Sequence, residues 1–292
     1  MSELESREDI DRLVAQLLNE AGALNRFPTP VDDIVAAQQL RISSSHDSPF
    51  APDVIAAAPA SLRSRLRTFQ GKLLGALARQ ERAVYLAPDI LEVQRRFVAC
   101  HETGHDLCPW QAVRYQLDGW EQLDLGIREK FEQEANYAAV GLLFQQDIFS
   151  QVMASYPLGV ATVRQVAELF GASIHATFWQ YVEQSPELVL GFILSRSPSG
   201  VDSTSYRFHV KNALASPSFT RLSPSCYTPP RWLASADYPA LATAWEQLRT
   251  SDVATGYLHL PTYDGHRYLL EFELFSNSYN LFLLAMDPRF VP

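Results

Sequence analysis

His101-Glu102-Thr103-Gly104-His105 is the stretch whose reading decides the fold of the first half of this chain. It has the form His-Glu-x-x-His. On a helix, residues four apart share a face, so His101 and His105 present two imidazoles to one point. Such a pair holds a metal ion, and Glu102, beside that face, reaches a water there as a general base. The competing reading is two helix histidines in ordinary hydrogen bonds. The flanks favour the metal. Residues 89–100 lack glycine and follow Pro88. Val93, Phe97, His101 and His105 recur at i, i+4, i+8 and i+12, which is one helical face, and Pro109 ends the pattern. The spacing predicts a helix with both histidines turned inward, where an unpartnered imidazole is costly.

A metal site of this kind needs a third protein ligand and an open position for water. Residues 129–144 read as a second helix, with Phe131, Ala135, Ala138, Ala139, Leu142 and Leu143 as an apolar stripe whose small alanines allow close helix approach. Glu132 and Asn136 are i, i+4 neighbours on it, so Glu132 is placed to bind the metal and Asn136 to orient a ligand from behind. Glu134 projects about 160° around the helix from Asn136, which favours Glu132. The competing reading is an exposed acidic helix face.

His-Glu-x-Gly-His followed by Glu-x-Glu-Ala-Asn-x-x-Ala-x-x-Leu-Leu resembles the ImmA/IrrE family of zinc-dependent regulatory peptidases. The matching positions are His101, Glu102, Gly104, His105, Glu132, Glu134, Ala135, Asn136, Ala139, Leu142 and Leu143. The family's Met-Pro after Leu-Leu is replaced by Phe144-Gln145, and its Phe three residues after the Ala is Ala138. The resemblance implies that His101, His105 and Glu132 bind Zn2+ and that Glu102 is the general base. Residues 6–42 read as a helix around Leu13, Val14, Leu17 and Leu18, a Pro-rich break, a short helix and a strand, as such peptidase domains often begin. Residues 75–87 read as a hairpin before the motif helix. In zincins that strand lies along the cleft, where an extended peptide adds as a further strand. Tyr115 and Tyr137 are candidates for stabilising the oxyanion.

At 292 residues the chain is long enough for two or three domains. Apolar residues at 47% and charged residues at 20% are those of a globular protein. The net charge of −9 argues against nonspecific binding to nucleic acid or anionic membrane. The charged start, Met1 to Asp9, lacks an apolar core, so no signal peptide is expected, and no apolar run reaches membrane-spanning length. The expected compartment is the cytoplasm. Three cysteines, Cys100, Cys108 and Cys226, then read as free thiols. A Cys/His structural zinc site is a rival, opposed by the lack of any Cys-x-x-Cys pair.

Residues 161–183 read as a helix to Phe170, a turn at Gly171 and a second helix after Ser173, the helix-turn-helix pattern. Between residues 151 and 191 the basic residue is Arg164, against Glu168, Glu183 and Glu187. A DNA-reading helix needs more positive charge, so packing or docking is the preferred role. Longer IrrE-type members carry a similar segment after the peptidase. His175 reads as structural or exposed.

Beyond Pro186 strands take over. Residues 188–195 suit a buried strand, 206–210 alternate, 216–240 read as a Pro-rich connection, and 239–250 suit a helix. Thr255–Phe275 reads as a hairpin turning at Asp264-Gly265, and 281–286 as a last strand. His209, His259 and His266 are open between ligand contacts and ordinary strand histidines. By position and element order this part resembles the GAF-like sensor domain of IrrE-type proteins.

The expected architecture is α+β: a zincin-like peptidase domain over 1–150, a helix-turn-helix-like segment over 151–186 and a GAF-like sensor domain over 187–292. The resemblance implies a cytoplasmic zinc metalloendopeptidase. Its expected partner is a helix-turn-helix transcriptional repressor, cleaved to switch on a stress or DNA-damage response. The alternative is a DNA-binding or small-molecule-sensing regulator whose peptidase fold has no turnover.

Overall fold

The computed structural model describes residues 5–43, 75–87, 90–118, 124–195, 199–202, 205–222, 229–261 and 267–287. The chain is a mixed α+β protein. It divides into two compact units. One runs to Phe149 and includes Glu168–Ser173; the other comprises Ser150–Ala167 and the chain from Ile174 onward. The helical segment 151–186 therefore belongs largely with the strands that follow it.

The first unit opens with α1 (Arg7–Glu20), which buries Ile10, Val14, Leu17 and Leu18 at helical spacing. Then come α2 (Val31–Ala37), β1 (Arg41–Ser43), β2 (Gly75–Ala78) and β3 (Ala83–Leu86). The three strands form a sheet in the order β1-β3-β2, with β3 parallel to β1 and antiparallel to β2. All four residues of β3 are buried, as a central strand covered on both faces requires. The motif helix is α3 (Glu92–Leu107). Pro109 ends it and also opens α4 (Pro109–Asp118), which the sequence reading passed over. A proline suits a helix start, because its missing N–H would have no partner there. Helix α5 (Leu125–Leu143) begins four residues before the predicted start; Asp124 caps it by accepting from the Gly126 N–H at 2.8 Å. Helix α6 (Asp147–Met153) begins in this unit and ends in the second.

Helix α3 is turned partly away from the sequence expectation. Val93, Phe97 and His101 are half-buried, whereas Val98, Ala99, Cys100, Glu102, Thr103, Gly104 and His105 are buried. His105 is thus turned inward as expected, while His101 lies at the margin of the core. Gly104 sets the spacing to α5. A Cβ there would stand 2.9 Å from the Ala135 carbonyl oxygen and 3.0 Å from the Ala138 Cβ. The end of α3 is clamped by Asp106, whose side chain is 5% exposed. It accepts from Arg82 at 2.8 Å and from Gln38 Nε2 at 2.9 Å, while Arg79 donates to the His105 carbonyl at 2.5 Å. The hairpin turn and α2 are thereby tied to the motif helix.

The second unit contains α7 (Val160–Phe170) except its last turn, and α8 (Ile174–Gln184). The turn between these helices passes through Gly171 at φ +65°, a left-handed position that favours glycine. After them come β4 (Val189–Ser195), β5 (Ser199–Asp202), β6 (Ser205–Ala215), α9 (Pro217–Leu222), β7 (Trp232–Ala234), α10 (Pro239–Gln247), β8 (Val253–Pro261), β9 (Arg267–Ser276) and β10 (Asn280–Met286). The antiparallel sheet runs β5-β6-β4-β10-β9-β8, and β7 adds to β6. The expected hairpin is β8–β9, in register from Val253 with Phe275 to Pro261 with Arg267. Its turn, Asp264-Gly265, lies outside the described residues, as do His266 and Cys226. The stretch read as a connection supplies α9 and β7, elements too short for a periodic signal.

One sheet face, carrying Phe192, Phe208, Leu258, Phe272 and Leu283, packs with Phe219 of α9 and Leu241 and Ala244 of α10. Phe178 of α8 lies 6.2 Å from Phe275 and 5.1 Å from Phe282, ring centre to ring centre. A Cβ on Gly191 would meet Val182 at 2.7 Å and Phe178 at 2.9 Å, so glycine lets α8 lie flat on β4. The second helix of the helix-turn-helix pattern is thus committed to the sheet. Phe178, Tyr181 and Val182 are buried.

The Gly104 contact is testable. Valine there gains only a few tenths of a kcal/mol in helix propensity over glycine. It must displace the Ala135 backbone, which costs about 1–3 kcal/mol. We expect Gly104→Val to lower the urea midpoint of the first unit's transition, with an unchanged slope.

Candidate metal centre

The centre is built from two helices held at the distance Gly104 allows. His101 and His105 lie one turn apart on α3, with ring centres 4.7 Å apart and planes at 89°. Glu132 comes from α5. His101 Nε2 stands 3.3 Å from Glu132 Oε2, and His105 Nε2 stands 3.5 Å from Glu132 Oε1. The donor atoms of all three residues lie within 4.8 Å of one another. Metal–nitrogen bonds of about 2.0–2.1 Å at tetrahedral angles place ligand atoms roughly 3.3–3.4 Å apart. The two histidine–glutamate separations are close to that edge length. The three side chains are thus placed to hold a divalent metal ion.

Both histidines are held from behind by amide oxygens. His101 Nδ1 is 3.1 Å from Asn136 Oδ1, and His105 Nδ1 is 2.8 Å from Gln111 Oε1. Asn136 thus stands where the spacing put it. Gln111, on α4, is fully buried and was missed by the sequence reading. Its signal was weak: one glutamine two residues past a proline, on a helix that the reading had not drawn.

Glu102 is 8% exposed and lies beside the imidazoles. Burial pushes its carboxyl above the usual range; both histidines oppose that shift and Glu132 adds to it. The Leu77 backbone N–H on β2 donates to it. Gly75 permits this approach, since a Cβ there would stand 2.4 Å from Val98 Cγ1 and 3.2 Å from Glu102 Oε1. Burial thus keeps the Glu102 carboxyl raised beside the His101, His105 and Glu132 cluster.

The other charged groups follow from their surroundings. Burial opposes protonation of His105, but bonds to Glu132 and Gln111 and the charges of Glu102 and Glu132 outweigh it, so its pKa is raised. Bonds from His101 and His105 hold the Glu132 carboxyl far below the usual range, against the effect of burial. Glu134 goes elsewhere. It is 1% exposed and accepts from Ser6 Oγ at 2.6 Å, Trp110 Nε1 at 2.8 Å and Gln111 Nε2 at 2.8 Å.

The remaining candidates are not part of the cluster. The Tyr137 hydroxyl donates to Asp11 at 2.8 Å and accepts from Arg7 at 2.9 Å, on the α1 side of α5. The Tyr115 side chain lies outside the described residues. Cys100 and Cys108 are buried free thiols, and burial pushes both up to about 12, so neither is a ready thiolate ligand. His209 packs edge-on against Trp232 at 4.9 Å, and His175 lies against Trp179 and Phe282.

No protein-family model and no curated protein matches the chain. Among solved structures it is similar to a Mycobacterium tuberculosis transcriptional regulator, at 13% identity and a TM-score of 0.53, over 96% of this chain and 76% of that one. That likeness extends to the fold.

The two glutamates should separate on substitution. Glu132→Ala should abolish tight metal binding, with a stability loss limited to its ion-pair contacts with the two histidines because the side chain is half-exposed. Glu134→Ala strands buried donors at about 1–3 kcal/mol each, so its main effect should be on the unfolding midpoint. Metal titration and urea unfolding of both variants check this.

The pH dependence has a definite sign in each state. Without metal, the raised His105 contributes stability below its ordinary value of 6.5, and loses it as pH rises through the folded value. The lowered Glu132 contributes above its ordinary 4.5 and loses it as pH falls through the folded value. Metal requires neutral imidazoles, so its stabilisation grows as pH rises. The Tm difference between metal-loaded and chelated protein should therefore widen from pH 5.5 to pH 8 in thermal melts.

Proposed function

We propose that this chain is a zinc-dependent endopeptidase with a zincin-like first unit. The observation that carries this is the convergence of His101, His105 and Glu132 at ligand-edge distances, with a buried carboxylate, Glu102, beside them. A zinc ion held by His101, His105 and Glu132 would supply a bound water of pKa about 7 and polarise a substrate carbonyl. Glu102 takes the proton of the attacking water and passes it to the leaving amine. Its burial raises its basicity for the first transfer, and the Leu77 N–H keeps the carboxylate oriented. Among the described residues strand β2 is an edge of the β1-β3-β2 sheet, beside Glu102, so an extended peptide would add along it and bring its scissile carbonyl to the cluster.

The substrate we propose is a transcriptional repressor of the helix-turn-helix class, cut at an exposed linker in the cytoplasm to release a stress or DNA-damage response. The second unit, a sheet packed by helices, takes the part of a GAF-like sensor. Among the described residues no helix is long and apolar enough to cross a membrane. A second reading keeps the metal and drops the turnover. It draws on the structural neighbour, which is named a transcriptional regulator. In that reading the chain is a DNA-binding or ligand-sensing regulator, and metal binding comes with a salt-dependent gel shift and no cleavage.

Glu102→Gln separates these readings. The variant should keep one zinc per chain and the wild-type fold, because all three ligands remain. Co-expressed with a candidate helix-turn-helix repressor, the wild type should produce a single new cut by intact-mass spectrometry, and the variant none, a loss of at least about 100-fold. Equal cutting by both proteins would remove Glu102 from the chemistry.

A further inference from the structure

Gln111 lies outside the His-Glu-x-x-His motif and the Glu132–Asn136 run, yet it is fully buried against a ligand histidine. Its amide has four hydrogen-bonding positions, two donors and two acceptor lone pairs, and few ways to satisfy them. The NH2 group faces the Glu134 carboxylate at 2.8 Å and the Phe131 carbonyl oxygen at 3.3 Å. Both of those groups only accept, so the nitrogen must point to them. The amide oxygen is then forced toward His105, where it accepts from Nδ1–H at 2.8 Å. With the proton on Nδ1, the lone pair of the neutral ring sits on Nε2, the atom facing Glu132 at 3.5 Å. Glu134 cannot turn away, since Ser6 and Trp110 also hold it.

We infer that Gln111 is the positioning residue of the metal centre: anchored by Glu134, it sets the tautomer and ring plane that make His105 a ligand. His101 has a weaker version of the same support. Its partner Asn136 is exposed and 3.1 Å away. The chain therefore has one rigidly preset imidazole and one that adjusts. This inference rests on the metal-site reading and not on peptidase activity.

The test uses full-length protein and Co2+ alone, read by its visible absorption in the tetrahedral range. Gln111→Met keeps the shape and removes every hydrogen bond. Loss of such a partner typically costs 10–100-fold in metal affinity, and we expect that loss here together with an altered Co2+ spectrum. Gln111→Glu is the conservative rescue. Buried beside Glu134, its carboxyl shares one proton with that carboxylate, donates toward Glu134 and accepts from His105 Nδ1–H. It should bind Co2+ within a few-fold of wild type and restore the spectrum. A merely structural role for Gln111 would move the unfolding midpoint and leave the spectrum alone. Gln111→Met, folded by circular dichroism, with wild-type affinity and spectrum overturns the inference. If Gln111→Met does not fold, Gln111→Glu carries the test, and a loss of 100-fold there overturns it equally. Failure of the wild type itself to bind Co2+ sinks the metal-site reading underneath.

Discussion

The distance between α3 and α5 governs the first unit, and the contact of Gly104 with the Ala135 carbonyl sets it. Glu132 lies one turn before Ala135, and His101 and His105 lie on either side of Gly104. Bringing the backbones into contact places one carboxylate between two imidazoles. Metal–ligand distances tolerate only about ±0.2 Å, so a side chain between these helices would separate the ligands before it unfolded the protein. The small residues at 104, 135 and 138 are thus a requirement of the site as much as of the core.

Two carboxylates on these helices meet opposite fates because their surroundings differ. Glu132 faces the open margin, where its partners are the histidines. Glu134, two residues on and turned to the other side, is sealed by Ser6, Trp110 and Gln111. A third, Asp106, is clamped by arginines and Gln38 at the end of α3. Buried charges persist only when fully satisfied, and once satisfied in low dielectric they hold rigidly. The motif helix is therefore fixed on its buried side, while His101 and Glu132 lie at its half-exposed margin.

The second unit follows another logic. Its antiparallel sheet packs helices against its central strands, and glycine at 191 allows α8 to lie flat on β4. That use of α8 takes Phe178, Tyr181 and Val182 out of solvent.

The local patterns were legible in the sequence because their periods are short. The i, i+4 histidines, the alanine stripe of α5, the β8–β9 hairpin and the paired helices around Gly171 all follow from spacing within a few residues. The spacing of Glu132 and Asn136 also pointed to the side of α5 that faces the histidines. What only the tertiary structure decided were the meetings between segments far apart in the chain. The rotation of α3 was one: Val93 and Phe97 mark an apolar stripe, yet the buried face is that of Ala99, Thr103 and Gly104, because α5 and β2 both pack against the helix. Gln111 was another. A single glutamine carries no periodic signal, and its role exists only because Phe131, Glu134 and His105 arrive around it from two other helices. Sequence spacing determines which residues share a face; the satisfaction of buried hydrogen bonds across helices determines which of them act together.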